Sequence, residues 1–363
     1  MLKGWCCAGF LMVALSAGAK PVILDNDMAI DDWAALLYLL HHPDAEVQAV
    51  TIAASGESHC EPGLENTLRL LDLPGDGPGD IPVACGDSAP LDGYSVFPEA
   101  WRQDSDTLSG VALPGSEREP DSRAAHEVIH EVIREASEPV TLVATGTLTN
   151  IARWLERYPG DHDKVAELVI MGGNLDVPGN IIVPGFTDGH PNTSAEWNFF
   201  VDPVAADRVL QADLPTVLVG LDVTNQVRVT PGFAKRFESS VTTESAEFWA
   251  QVLEVNDWFI ESGEYYFWDV LAAMTAMDPS LCRGDTHRLG VVQETTEVPW
   301  QQTTDPAMPN RRWDGKPRSH LDAATAGTLF PEPAASPVTV CLETDPERVF
   351  RGFRRVLNNA YAD

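Results

Sequence analysis

Val22-Ile23-Leu24-Asp25-Asn26-Asp27-Met28-Ala29-Ile30-Asp31-Asp32-Trp33 is the stretch that decides how the chain is read. Three apolar residues run straight into acids, as a short buried strand does where it leaves a sheet. Asp31-Asp32 then open an apolar stretch from Trp33 to His41, in which Leu36, Leu37, Leu39 and Leu40 suit a buried helix. The same unit recurs along the chain. Val47 to Ala53 is strand-like and Leu64 to Leu71 helical; an amphipathic helix, Ala124 to Glu135, precedes the strand Val140 to Ala144; and helical Ile151 to Arg157 precedes the strand Val165 to Met171. Strands alternating with helices predict an α/β fold with a mainly parallel, open, Rossmann-like central sheet flanked by helices on both faces. The Gly/Pro-rich pieces Pro74 to Pro82 and Pro178 to Pro191 are short enough to be loops inside one domain, and no internal repeat or low-complexity linker interrupts it.

The chain has 363 residues, with 24 Lys and Arg against 55 Asp and Glu, a net charge of −31. Such a surface is a poor match for nucleic acid or an anionic membrane, both of which reward basic patches. Hydrophobic residues at 44% still supply a globular core rather than a disordered acidic chain. Residues 1–19 read as an export signal: Lys3, the apolar run Trp5 to Leu15, then the small residues Ala17-Gly18-Ala19. The run is too short for a comfortable membrane span, which needs about 20 apolar residues. The expectation is a secreted or periplasmic protein whose single domain covers residues 20–363, with no membrane contact after cleavage. Cys60, Cys85, Cys282 and Cys341 would remain, without zinc-type paired spacing. A structural role suits all four better than a catalytic one. Disulfides among them are open at this stage, and Cys341 reads equally as a plain strand residue.

In an open parallel sheet the binding crevice lies beyond the carboxyl ends of the strands. Here the first strand end carries Asp25, Asp27, Asp31 and Asp32 within eight residues. That many carboxylates repel unless neutralised, and a hard divalent cation taking oxygen ligands is the simplest answer. The plainer account, capping of the following helix by Asp31 or Asp32, covers one or two of the four.

The run resembles the Asp-x-Asp-x-Gly-x-Asp-Asp signature of the nucleoside hydrolases, calcium-dependent N-ribohydrolases that release base and ribose from nucleosides. Three further stretches match in that family's order: Ala144-Thr145-Gly146-Thr147-Leu148-Thr149-Asn150-Ile151-Ala152; then Met171-Gly172-Gly173, Val177-Pro178-Gly179-Asn180 and Ala195-Glu196-Trp197-Asn198; then Trp268-Asp269. Asp345 to Phe350 is similar to the start of the family's last helix. The resemblance implies one calcium ion (Ca2+) held by Asp27, Asp32, the backbone carbonyl of Thr145 and Asp269. It also implies Asp27 as general base toward the attacking water and Asp31 as a ribose contact. Glu196 and Asn198 would recognise ribose, pointing the same way if the segment is extended, with Asn180 adding a further amide. Sixteen positions separate Asn180 from Glu196, so Asn192 is an alternative to Asn180. Asp202, before Pro203, is expected to cap the next helix. The plainer roles are a helix cap for Asp269 and ordinary loop backbone for Thr145.

Many pyrimidine-active or nonspecific members carry His before the last calcium-binding Asp; here that position is Trp268. An indole cannot donate a proton near neutral pH but can stack on a purine, so the chain resembles the branch preferring inosine, adenosine and guanosine. Trp101 would be the second stacking residue, and Glu57 matches an acidic position near the base or ribose. Met28-Ala29 depart from the usual Pro-Gly or Gly-Asn, and losing the glycine narrows the loop's backbone choices. The implied activity is a calcium-dependent purine nucleoside N-ribohydrolase acting on a small-molecule nucleoside. A broad or pyrimidine-active hydrolase using Tyr265 or Tyr266 as acid is the alternative, followed by a noncatalytic nucleoside-binding protein and a magnesium phosphotransferase with Asp25 as nucleophile. A homo-oligomer is compatible with the sequence, and Glu294 to Pro331 reads as a surface insertion.

Overall fold

A computed structural model describes residues 18–74, 79–91, 97–184, 186–293, 296–297, 321–322 and 324–360. Residues 1–17 of the expected export signal lie outside the described residues, as does most of the stretch read as an insertion.

In chain order the elements are β1 (Lys20–Asn26), α1 (Ile30–His41), β2 (Ala45–Ile52), α2 (Cys60–Leu71), β3 (Val83–Cys85), α3 (Glu99–Asp106), α4 (Ala125–Glu135), β4 (Val140–Ala144), α5 (Thr149–Arg157), β5 (Val165–Met171), α6 (Trp197–Val201) and α7 (Pro203–Gln211). They continue with β6 (Thr216–Val219), α8 (Leu221–Thr224), α9 (Pro231–Glu238), α10 (Glu244–Val255), α11 (Asp257–Ser262), α12 (Trp268–Met277), β7 (Arg283–Val291), β8 (Thr296–Glu297), β9 (Leu321–Asp322), β10 (Leu329–Pro331), β11 (Pro337–Glu343) and α13 (Pro346–Leu357). Among the described residues nine strands form one sheet in the order β10-β7-β11-β6-β5-β4-β1-β2-β3. It is parallel from β3 to β11, and β7 and β10 add an antiparallel edge. The α/β expectation therefore holds.

β4 is buried at every residue and β1 over its last five, because helices cover both faces of the sheet. α4 buries Ala125, Val128, Ile129 and Ile133 at helical spacing, whereas α1 is buried continuously from Asp31 to Leu39. α1 packs along α12, itself buried from Asp269 to Ala276. Both helices begin at the carboxyl edge of the sheet. After β1 the chain passes to β2 and β3 on one side and later returns to β4 on the other. The β1/β4 boundary is thus the point where strand order reverses, where the crevice of an open α/β sheet opens.

α1 begins at Ile30 rather than Trp33, since Asp32 turns back to accept the Ala29 amide at 2.9 Å and so fixes the first turn. α2 begins at Cys60 rather than Leu64. Among the described residues the cysteines pair as Cys60–Cys85 and Cys282–Cys341; Cys341 is a strand residue and a disulfide partner at once. The end of the stretch read as an insertion rejoins the sheet, because Leu329–Pro331 pairs antiparallel with β7. Among the described residues no helix is long and apolar enough to cross a membrane.

Candidate active site

The end of β1, the loop after it and the first turn of α1 bring Asp25, Asp27, Asp31 and Asp32 together, all buried. Met28 occupies the left-handed region with φ of +60°, the conformation a glycine would supply at least cost. Its side chain packs inside and accepts a hydrogen bond from the Thr67 hydroxyl, and its carbonyl accepts one from the Trp33 indole. The loop keeps its turn without glycine because the core holds Met28 in place.

Asp27 sits in a glycine cradle. A Cβ on Gly56 would lie 2.2 Å from its Oδ2, and one on Gly146 would lie 2.8 Å from its backbone nitrogen. Its Oδ2 accepts the Glu57 amide at 3.1 Å. Asp32 accepts the amides of Asp27 and Ala29 and the Thr145 hydroxyl, the last at 2.6 Å. Asp31 accepts the Asp269 amide at 2.9 Å, joining the start of α1 to the start of α12. Asp269 therefore does not cap α12 through its side chain; it lies in the first turn, with its amide held by Asp31. The structure thus gathers Asp27, Asp31, Asp32, Thr145 and Asp269 around one place.

Asp25 takes a different part. Its Oδ1 accepts the Thr51 hydroxyl and the Asn150 amide, tying β1 to β2 and α5. Asn150 was visible in the second matching stretch, but its partner is 125 residues away. Arg102 also escaped the sequence reading: its buried guanidinium donates to the carbonyls of Ala54 and Ser58, bracing the loop that carries Glu57. Glu57 in turn accepts the Ser105 hydroxyl.

Glu196 and Asn198 are not extended neighbours. Glu196 is the N-cap of the short helix α6, and Asn198 lies in its first turn, so the alternation expected for a strand does not apply. The Glu196 carboxylate accepts the amides of Gly173, Asn198 and Phe199. The Asn198 side-chain Nδ2 donates to the Thr145 carbonyl at 2.9 Å. Asn180 accepts the Trp197 amide, while Asn192 accepts the amides of Ser194 and Ala195 and donates to Ala326, shaping its own loop. Asp202 caps α7 as expected.

Trp101 packs edge-on against Trp197 and Phe186, and Trp268 packs against Phe259, Tyr265 and Tyr266. Ring contacts from Phe186 to Trp258 and from Trp258 to Phe259 complete an aromatic arc between the two tryptophans. The Tyr265 hydroxyl and the Trp268 indole nitrogen are buried and without a hydrogen-bond partner.

Burial pushes Asp25 and Asp31 up to about 7, Glu57 to about 8 and Glu196 to about 7. Burial first, then neighbouring carboxylate charge, raises Asp27 and Asp269 well above the ordinary range. Among the described residues no Lys, Arg or His forms an ion pair with these six acids; Arg102 spends its donors on carbonyls. No three Asp, Glu, His or Cys side chains among the described residues converge at metal-coordinating distance, because the carboxylates are drawn onto amides and the Thr145 hydroxyl. The donor set nevertheless fits a hard divalent cation: uncompensated buried oxygens, and a cradle that leaves no room for a Cβ beside Asp27.

These shifts carry a sign. Raised carboxyl groups bind protons in the folded state that the unfolded chain has released, so stability falls as pH climbs from about 4 through about 8. Metal-free protein should therefore melt at a higher temperature at pH 5.5 than at pH 8, with a divalent cation restoring the loss at pH 8. Melting temperatures independent of pH in chelator would contradict the electrostatic account.

Residues 22–351 match the family model described as inosine-uridine preferring nucleoside hydrolase. The chain belongs to the nucleoside hydrolase family. It is 37% identical over 246 residues, 66% of this chain and 74% of the relative, to a pyrimidine-specific ribonucleoside hydrolase, RihA, from Klebsiella pneumoniae. Two solved structures share the fold at 24% identity. An inosine-uridine preferring nucleoside hydrolase from Bacillus anthracis has a TM-score of 0.70, covering 93% of this chain and 99% of that one. A purine-preferring ribonucleoside hydrolase from Gardnerella vaginalis also has a TM-score of 0.70, covering 94% and 98%. This nucleoside hydrolase therefore acts on nucleosides as small-molecule substrates, and its carboxylate cluster lies at the switch point of the family's fold.

Proposed function

We propose that this nucleoside hydrolase cleaves purine ribonucleosides to free base and ribose, with Asp27 as general base. The observation that supports Asp27 most directly is its buried carboxylate, cradled by Gly56 and Gly146 at the β1/β4 boundary. Calcium is the ion in this reading; Asp27, Asp32, Asp269 and the Thr145 carbonyl would hold it, and when bound it would polarise oxygen atoms of water and ribose. Asp27 takes a proton from water as the water oxygen bonds to C1′ and the C1′–N bond breaks through an oxocarbenium-like state. The electron pair leaves with the base, which takes a proton from solvent. Asp31 holds a ribose hydroxyl, with Asn180, Glu196 and Asn198 on the ribose side and Trp101 and Glu57 toward the base. Trp268 stacks on the purine and favours its departure. Export to a secreted or periplasmic location belongs to the same reading, supported by the residues 1–19 pattern and two disulfides.

A second reading, pyrimidine hydrolysis, is favoured by the likeness to a pyrimidine-specific relative and by the unpartnered Tyr265 hydroxyl, whose surroundings include Asp31 and Asp269. Ribose release from inosine and uridine, with calcium and after chelation, separates the two. Calcium-dependent preference for inosine is expected. Trp268→Ala should lower kcat/KM for inosine by about 10- to 100-fold, from lost stacking and burial, and uridine turnover by less. Uridine preference in the unmodified protein would overturn the stacking claim.

A further inference from the structure

At the opposite ends of the two helices that carry the site acids lies a cavity of about 870 Å³ lined by α13. α1 runs from Asp31 and Asp32 to His42 at its C-cap, and α12 from Trp268 and Asp269 to Asp278. At 1.5 Å per residue, the cavity is about 15 Å from the carboxylate cluster. Its volume is in the range that holds a drug-sized or nucleotide-sized molecule.

The cavity wall is basic in a chain whose net charge is −31. Arg351, Arg354 and Arg355 line it, all from α13. Several arginines elsewhere are matched to carboxylates, as in Arg118 with Asp72, Arg153 with Asp87 and Arg283 with Glu343, whereas Arg102 and Arg288 bond carbonyls. Among the described residues no carboxylate forms an ion pair with Arg351, Arg354 or Arg355. The carboxylate that does line the cavity, Asp278, is engaged by Arg348 at 2.6 Å. Arg354 and Arg355 suit the carbonyl end of a helix, but that role reaches only the last turn and leaves Arg351 unexplained. Met274 and Leu281 add an apolar floor.

We propose that this cavity is a second ligand site, for a phosphate-bearing anion of nucleotide size. Planar guanidinium forks match phosphate oxygens in pairs, and the apolar floor takes the uncharged part of the ligand. The acidic chain repels anions generally, so three cations without carboxylate partners on one cavity wall mark a place where one can settle.

The test is calorimetric titration of the full chain at low salt, in chelator, with adenosine 5′-monophosphate, adenosine and inorganic phosphate as probes. The monophosphate should bind at least tenfold more tightly than adenosine, inorganic phosphate should compete with it, and added salt should weaken it. Replacing Arg351, Arg354 and Arg355 together by Gln should weaken binding at least tenfold; Arg351→Gln alone should weaken it about threefold, and Arg283→Gln should leave it unchanged. Asp27→Asn should retain the binding, which separates this cavity from the carboxylate site. Absence of saturable binding, equal binding of adenosine, or indifference to the arginine changes would overturn the proposal. Ribose release is a separate readout, so this outcome and the fate of the proposed hydrolysis are independent.

Discussion

Asp27→Asn should lower kcat for ribose release by about a thousandfold, the scale of losing a positioned general base. The fold should survive, because an amide oxygen can still accept the Glu57 amide that Oδ2 accepts now. Removing the carboxylate also removes repulsion from Asp32 and Glu57, so in chelator the unfolding temperature at pH 8 should stay the same or rise. Loss of turnover with preserved stability is the combination that assigns Asp27 a chemical role rather than a structural one. Activity within tenfold of the unmodified enzyme, measured as ribose release from inosine at saturating substrate and calcium, would remove Asp27 from the base position.

Glu196→Ala should do the reverse and act first on stability. The carboxylate is 2% exposed and accepts three amides, from Gly173 at 3.1 Å, Asn198 at 2.9 Å and Phe199 at 3.2 Å. Stranding those donors costs about 1–3 kcal/mol each, partly offset by no longer burying a carboxyl group raised to about 7. A net loss of roughly 3 kcal/mol is expected in urea unfolding. Glu196→Gln, which keeps one acceptor oxygen, should lose about half as much. If Glu196 served ribose alone, KM would rise while the urea midpoint stayed in place. The two effects are measured separately, so a mixed role would show as a change in both.

Much of the fold was legible because its signals are local. Val140–Ala144 and Val165–Met171 are strands over the expected residues, since a continuous apolar run flanked by turns needs no distant partner to be recognised. Helix starts were less legible: α1 gains a turn at its front because Asp32 folds back onto Ala29, a bond made by a residue that reads as a metal ligand. Glu196 and Asn198 stand at the start of a helix rather than in the extended segment that would align them, and a helix capped by a side chain and too short to show a period leaves no local signal.

The sequence by itself determined the α/β class, the order of the matching stretches and the concentration of acids at the end of β1. Only the tertiary structure decided which of those acids meet. Asp31 reaches the amide of Asp269 across 238 residues, and Asp25 reaches Asn150 across 125. The cysteine pairs and the arginine-lined cavity are likewise invisible until the chain is folded. Periodicity and strand-end chemistry act over a few neighbouring residues, whereas these contacts exist only once β1 lies between β2 and β4 and α12 is laid along α1.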